Sequence, residues 1–431
     1  MLEIRRKQHP VGQGGFHSGS ISEDGRVLHR YVYDCGATAG YASARDDAID
    51  RHIASVGAGS KLHTLVLSHI HADHINGLER LLEESTGLRV DTIILPLVNH
   101  VDRLISYART AAVDPVSARS AFYQALVVNP TSALSRFEPR VIIYVEPGDR
   151  GVGAPADFGP DPDPKERGRF DGDPSEPDGP AWTLVGTGSV IRDDARVRPD
   201  QSSAPVRTLV VSDTQALLTA SSSGAWLLAP FVDPSFASDR EDFLDWLAAI
   251  RRHPRRDLED WLSDPANVLD LVANHASDLV AAYSTIERNL NVTSLLLYSG
   301  PARRPPAGAV LRSKAGRFEF KPAATTRTAW LATGDAALGD RKRRDDFLTH
   351  YRDLVPQAHT FMLAHHGSDH NFHPELLDTI EPALCIAAAD AHGDWRHPGT
   401  RAVQAVCSRG SFLQVVTSDE RSTVEDEVTL P

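Results

Sequence analysis

Residues 64–77 read TLVLSHIHADHING, so that His69, His71, Asp73 and His74 fall within one short loop directly after an apolar, β-type run. No other stretch limits the fold so tightly. One short loop cannot wrap four ligands around a single ion. Two of them, His69 and His71, can serve one ion, and Asp73 and His74 a second. Two adjacent divalent ions that share a water lower its pKa and give a nucleophile at neutral pH. A lone histidine at a strand end is usually a satisfied structural residue. Four ligand-type side chains at this spacing are poorly explained that way. The rest of the chain must therefore bring further ligands to this loop on rigid elements.

The surrounding pattern supplies such elements. HTLVLS reads as a strand ending at His69. GLERLLEES (77–85) puts Leu78, Leu81 and Leu82 on one helical face before Gly87, so the histidine loop joins a strand to a helix N-terminus. RVLHRYVYDCG (26–36), DTIILP (91–96), RVIIYVEPGD (140–149), AWTLVG, RTLVVS and AWLLAPFV read as strands, and 99–128 as mostly helical. Ser238 and Glu241 fit a capping box for a helix carrying Phe243, Leu244, Trp246, Leu247 and Ile250, with more helix towards Ile286 and breaks near Pro254 and Pro265. Strands return after 292: VTSLLLYS, TAWLATGD, TFMLAHHG, ALCIAAAD and LQVVTSD. Residues 151–180 hold 6 Gly and 7 Pro among few apolar side chains, and are expected to form a flexible acidic loop that packs no core. This order predicts one α/β (α+β) domain over 1–431. It carries an insertion over about 100–285 that is helical over 238–286.

Composition narrows the class. Of the 431 residues, 41% are hydrophobic, enough for a substantial core. The net charge of −13 argues against a general basic surface for gripping nucleic acid. Metal ions would still supply positive charge where a phosphate must sit. Cys35, Cys385 and Cys407 are odd in number and far apart, so neither a disulfide framework nor a thiolate metal site is expected, and the expected location is cytoplasmic. The basic start MLEIRRKQHPVGQGG lacks the apolar region of a signal peptide. No run approaches the roughly 18 apolar residues of a membrane span.

Several C-terminal strands end in chemically capable residues. TAWLATGD ends at Asp335, TFMLAHHGS carries His365 and His366, ALCIAAAD is followed by His392 and His397, and VTSLLLYS follows Asn289 and Asn291. Each alone has a bland alternative, a Thr-Gly-Asp turn for example. Together, and in this order, they complete a two-metal site on strand ends. Asp335 is the natural carboxylate to bridge both ions. His365 is the natural last ligand of the second ion. His366 is the alternative ligand, or orients it from behind.

These motifs resemble the metallo-β-lactamase superfamily: H-x-H-x-D-H, then a His, a Gly-Asp turn and a further His. Within it, the chain is most similar to the ComEC-type metallo-β-lactamase-like domain. The VGQG turn (Val11–Gly14) and polar residues His17–Ser20, the D-x-G turn at Asp34–Gly36, the N-x-x-S start at Asn291–Ser294, Gly334-Asp335, His365–Ser368 and His397-Pro398 occur in order. They span roughly 8–90 and 285–405; the middle, about 100–285, is poorly covered. The resemblance implies an αββα sandwich with metals at one edge between two sheets. The place where many relatives carry a His is held here by Asn289 or Asn291, with Asn291 preferred and His275 the nearest histidine. An Asn is a weaker, neutral oxygen ligand, and ComEC-type domains share it.

The expected activity is hydrolysis of a phosphodiester, a nucleic acid among the candidates, by a water activated between two divalent ions. Zn²⁺ fits the N and O ligands first and Mn²⁺ second. His69, His71, Asp73, His74, Asp335, His365 and Asn291 are the expected ligands. Asp73 or Asp335 holds or accepts the water's proton, and His366 or His397 contacts the phosphate or protonates the leaving oxygen. The same metals suit a carboxylic ester, a lactone or a small phosphoester, and fold alone does not choose. A third reading is a regulatory module in a larger complex, with the insertion as the surface for a protein partner.

Overall fold

The computed structural model describes residues 1–156, 181–199, 205–286, 293–306, 308–321, 323–391 and 396–431. They form a mixed α/β body around two mixed sheets, one of twelve strands and one of eight. In the larger sheet, Arg26–Ala37, Lys61–Val66, Arg89–Pro96, Val141–Glu146 and Arg207–Ser212 run parallel to one another. The smaller sheet has its own parallel run, Ala329–Ala332, Ala358–Met362, Leu384–Ala388 and Phe412–Val416.

The period-2 alternation of these strands separates three cores. Ile93 and Leu95 of one strand pack with Ile49, Leu104, Leu126 and Leu247 of the helices outside the larger sheet. Ile94, between them, faces the other way and packs with Leu297, Trp330 and Ile386 of the smaller sheet. On that sheet's far side, Leu331 and Phe361 meet Phe347, Leu377 and Val406 from another set of helices. The parallel strands of each sheet thus bury one face against the other sheet and the other against helices, as apolar strands of parallel sheets require. The outer faces of Leu2–Gln8, Val310–Ala315 and Val424–Leu430 alternate towards solvent instead. His29 crosses the gap. Its two ring nitrogens lie 2.9 Å from Thr64 Oγ1 of the larger sheet and 2.7 Å from Thr219 Oγ1 of the smaller.

The 100–285 span builds into this body. Its strands Val141–Glu146 and Arg207–Ser212 extend the larger sheet, while Thr183–Gly186, Gln215–Ser221 and Gly224–Asp233 extend the smaller one. Helices occupy Ala237–Arg251, Arg255–Leu262, Pro265–Asn274 and Ala276–Ser284. The capping box does not form. The first of these helices already starts at Ala237 behind Phe236, which offers no side-chain cap, and Ser238 Oγ donates to Asp239 instead. Of its five apolar positions Phe243, Leu244 and Leu247 are buried, while Trp246 and Ile250 are exposed. The expected 77–85 helix is one turn, Leu78–Leu81, and a separate turn over Ala72–Ile75 holds the histidine loop. Most of the expected acidic loop, 157–180, lies outside the described residues, and so do Asn289, Asn291 and His392.

Candidate metal centre

The histidine loop leaves the C-terminal end of Lys61–Val66. Asp335 follows Ala329–Ala332, His365 and His366 follow Ala358–Met362, and Ala388 ends the next parallel strand. All face the carboxyl edge of parallel strands, where open α/β sheets place ligands. Two bonds at Leu295 close the sheets together at this edge: its N–H donates to Ser68 O at 2.7 Å, and its carbonyl accepts from Tyr33 Oη at 2.8 Å.

The outer hydrogen bonds set the ring orientation of four imidazoles. His74 Nδ1 donates to Asp34 Oδ2 at 2.8 Å. His366 Nδ1 donates to the Ala388 carbonyl at 2.7 Å. Ser68 Oγ donates to Asp34 Oδ2 at 2.6 Å, so it accepts from His69 Nδ1, 2.8 Å away. Asn371 donates both amide hydrogens to the carbonyls of Asp335 and Ala336, which turns its Oδ1 towards His365 Nδ1 at 3.1 Å. In every case Nδ1–H is used outside and Nε2 is left pointing inward, the arrangement metal-binding histidines show.

Inside, the partners are carboxylates. Asp335 Oδ2 lies 3.5 Å from His69 Nε2, 3.8 Å from His71 Nδ1 and 3.7 Å from His365 Nε2, and its Oδ1 lies 3.8 Å from His74 Nε2. Asp73 Oδ2 is 3.8 Å from His74 Nε2 and 3.6 Å from His366 Nε2. Two groups of ligand atoms fall within 4.8 Å of one another: His69, His74 and Asp335, and Asp73, His74 and His366. The Nε2 atoms of His69, His71 and His74 and Oδ1 of Asp335 are buried without a hydrogen-bond partner. Such atoms are costly to bury unless something binds them.

The charges agree. Burial alone would raise the carboxyl of Asp73, but the neighbouring His74 and His366 outweigh it and hold it far below the usual range. Asp335 is depressed in the same way, burial being outweighed by His365, His69 and His74. Burial opposes charge on His74, yet Asp73 and Asp34 raise its imidazole to about 9. The buried Asp335 and the partly buried Asp73 thus draw in positive charge, which a divalent ion supplies better than a proton. The donor set fits such an ion.

Among the residues expected here, His69, His71, Asp73, His74, Asp335, His365 and His366 are brought together. Of the two consecutive histidines, His366 joins Asp73 and His74, whereas His365 Nε2 accepts from Arg109 Nη2 at 2.8 Å. Both histidines and Asp34 adopt left-handed φ values, 50°, 57° and 58°, a strain that non-glycine residues keep mainly at working sites. His397 lies near both, its ring tilted to theirs, with centroids 5.8 Å from His365 and 6.3 Å from His366. Burial, helped by His366, lowers its imidazole to about 4. His275 is not part of the cluster. It sits between two helices beside Asp270 and Asp278.

Sequence reasoning missed Arg109 altogether, and it gave Asp34 only a turn. The orienting roles of Ser68 and Asn371 were also not visible. The signal for Asp34 was its position at the end of the strand beside HTLVLS. Arg109, in a weakly patterned helix, gave none.

No protein-family model and no curated protein matches the chain. Among the described residues, no helix is long and apolar enough to cross a membrane.

Proposed function

We propose that the chain is a metal-dependent hydrolase of the metallo-β-lactamase superfamily, with an αββα sandwich, acting on a phosphodiester. The observation that carries this reading is the set of inward Nε2 atoms, oriented from outside and converging on two carboxylates. His69, His71 and Asp335 would hold one divalent ion and Asp73, His74 and His366 a second, because the single free ring nitrogen of His74 serves one ion only, with Zn²⁺ preferred over Mn²⁺. Bound there, the ions supply Lewis acidity and a water of lowered pKa.

The chain's own residues do the rest. Asp73, ionised by its histidine neighbours, holds the attacking water's proton. Asp335 presents one oxygen to each histidine group. His397, neutral near pH 7, offers a hydrogen bond to a substrate oxygen rather than a strong acid. Asp34, Ser68 and Ala388 keep the rings from turning.

The test is a substrate panel on protein loaded with Zn²⁺ or Mn²⁺: bis(p-nitrophenyl) phosphate, single-stranded DNA and RNA, a lactone and a carboxylic ester. Metal-dependent cleavage of a diester is expected, and a chelator should abolish it. Hydrolysis of the lactone or ester with every diester untouched contradicts the reading. No turnover despite bound metal favours a regulatory module.

A further inference from the structure

Thr38 follows the strand Arg26–Ala37 and stands at the N-cap of the short 3₁₀ turn Ala39–Tyr41. A threonine in that place ordinarily turns its hydroxyl back onto the N–H groups of the turn. This one does not. The Ala39 N–H goes to Oδ2 of Asp114, just past the helix His100–Val113, at 2.8 Å. The Tyr41 N–H goes to the Thr38 carbonyl, also at 2.8 Å. The turn is thus closed without the hydroxyl. Thr38 is 3% exposed, and its Oγ1 has no hydrogen-bond partner among the described residues. The side chain lines a small cavity with His71, Asp73, Asp114, His365 and His366.

The walls of this cavity are fixed. Ala37 donates its N–H to Asn76 Oδ1 at 3.1 Å and accepts from Asn76 Nδ2 at 2.7 Å, which ties the strand end to the histidine loop. The Thr38 N–H donates to the Gln13 carbonyl at 2.8 Å. On the helix that carries Arg109, Thr110 Oγ1 lies 2.8 Å from Tyr123 Oη, which is itself 3.3 Å from the Ile70 carbonyl. Backbone bonds therefore hold the hydroxyl beside the candidate centre.

Leaving a buried hydroxyl unpaired costs about 1–3 kcal/mol. Valine has the same shape and would avoid that cost, since the backbone at Thr38 is extended, with φ −59° and ψ 153°. The oxygen serves no bond among the described residues, so it is placed for what enters the cavity. A hydroxyl donates most strongly to a charged oxygen. A diester phosphorus carries two oxygens that bear no carbon. An ester carbonyl carries one.

We propose that Thr38 binds the substrate: its hydroxyl donates to the phosphoryl oxygen that takes part neither in metal binding nor in leaving. This rests on the hydrolase reading above and narrows it to phosphoryl substrates, because a carboxylic ester or lactone has no such second oxygen to accept the bond.

The experiment uses the full chain loaded with Zn²⁺, as wild type, Thr38→Val and Thr38→Ser. Bound zinc is measured by elemental analysis, stability by thermal denaturation without phosphate, and affinity for inorganic phosphate by calorimetry. Thr38→Val is expected to keep its zinc, to melt no lower than wild type and to bind phosphate about 10-fold more weakly or worse. Thr38→Ser, which keeps the hydroxyl, should recover most of the affinity. Unchanged phosphate affinity in Thr38→Val overturns the proposal, and is the result expected if only a water meets the hydroxyl. A lower melting temperature or lost zinc in Thr38→Val also overturns it, because the hydroxyl would then be a bond of the fold. So does a zinc-loaded wild type that binds no phosphate. A wild type that takes up no zinc contradicts the hydrolase reading, and the zinc analysis tells the two failures apart.

Discussion

His29 and His74 are both buried imidazoles, and they differ in what the second ring nitrogen meets. His29 bridges the two sheets with a threonine hydroxyl on each nitrogen. Burial keeps it neutral and lowers it to about 3. His74 uses Nδ1 on Asp34 and leaves Nε2 buried without a hydrogen-bond partner, 3.8 Å from both the Asp73 and the Asp335 carboxylate. The first nitrogen pair is fully satisfied and holds the fold together. The second is half satisfied and marks a place where something binds. Burial does not separate a structural from a functional histidine; the partner of the second nitrogen does.

That contrast breaks most easily at the carboxylates. Asp73→Ala and Asp335→Ala should each reduce diester turnover by at least about 1,000-fold while the circular dichroism spectrum stays native, a loss of the size expected when a preorganised charge is removed from a site. Near wild-type turnover in either variant would place the chemistry elsewhere. A smaller effect is expected at Asp34, which orients His74 and, through Ser68, His69. Asp34→Ala should weaken Zn²⁺ binding about 10–100-fold in a chelator competition. An unchanged affinity would mean that the ring orientations hold without it.

His29 sharpens the other side. Its folded pKa of about 3 lies below the ordinary 6.5, so between these values the unfolded chain binds more protons. Stability therefore rises with pH across that window and is lost as pH falls through it, by at most about 1.4 kcal/mol per pH unit from this one group. Urea denaturation of metal-free wild type and His29→Gln from pH 4 to 6.5 should show a shallower slope in the variant. Equal slopes would show that His29 takes up no proton on unfolding. The smallest effect on the centre is expected from cysteine. Cys35 and Cys385 are buried and Cys407 is exposed, and none is among the ligand groups, so the triple serine variant should keep its metal.

How much of this was legible follows from how local each signal is. The histidine loop is contiguous, and its strand shows as an apolar run. Asp335 and the His365-His366 pair stand at the ends of further apolar runs. Which of the two histidines joins Asp73 and His74 was not legible, because it depends on two successive left-handed residues that no local pattern announces. Arg109 reaches the centre through packing against Tyr123 and the helices that follow, contacts far apart in sequence. Likewise Val141–Glu146, Thr183–Gly186, Arg207–Ser212 and Gly224–Asp233 could be recognised as strands, but not Val190–Arg192 or Gln215–Ser221, nor which sheet each would join. The capping pattern at Ser238 misled because the N-cap is Phe236, two residues earlier, and the pattern was read without its tertiary context.

The most direct measurement is the metal content of wild type, His29→Gln and His74→Ala after dialysis against Zn²⁺ and removal of excess ion. Wild type and His29→Gln should bind zinc equally. His74→Ala, which removes a nitrogen that lies within reach of both candidate groups, should lose at least the ion that nitrogen holds while remaining folded. Wild type that binds neither Zn²⁺ nor Mn²⁺, or a folded His74→Ala that keeps the full complement, would contradict the assignment of the inward nitrogens to metal.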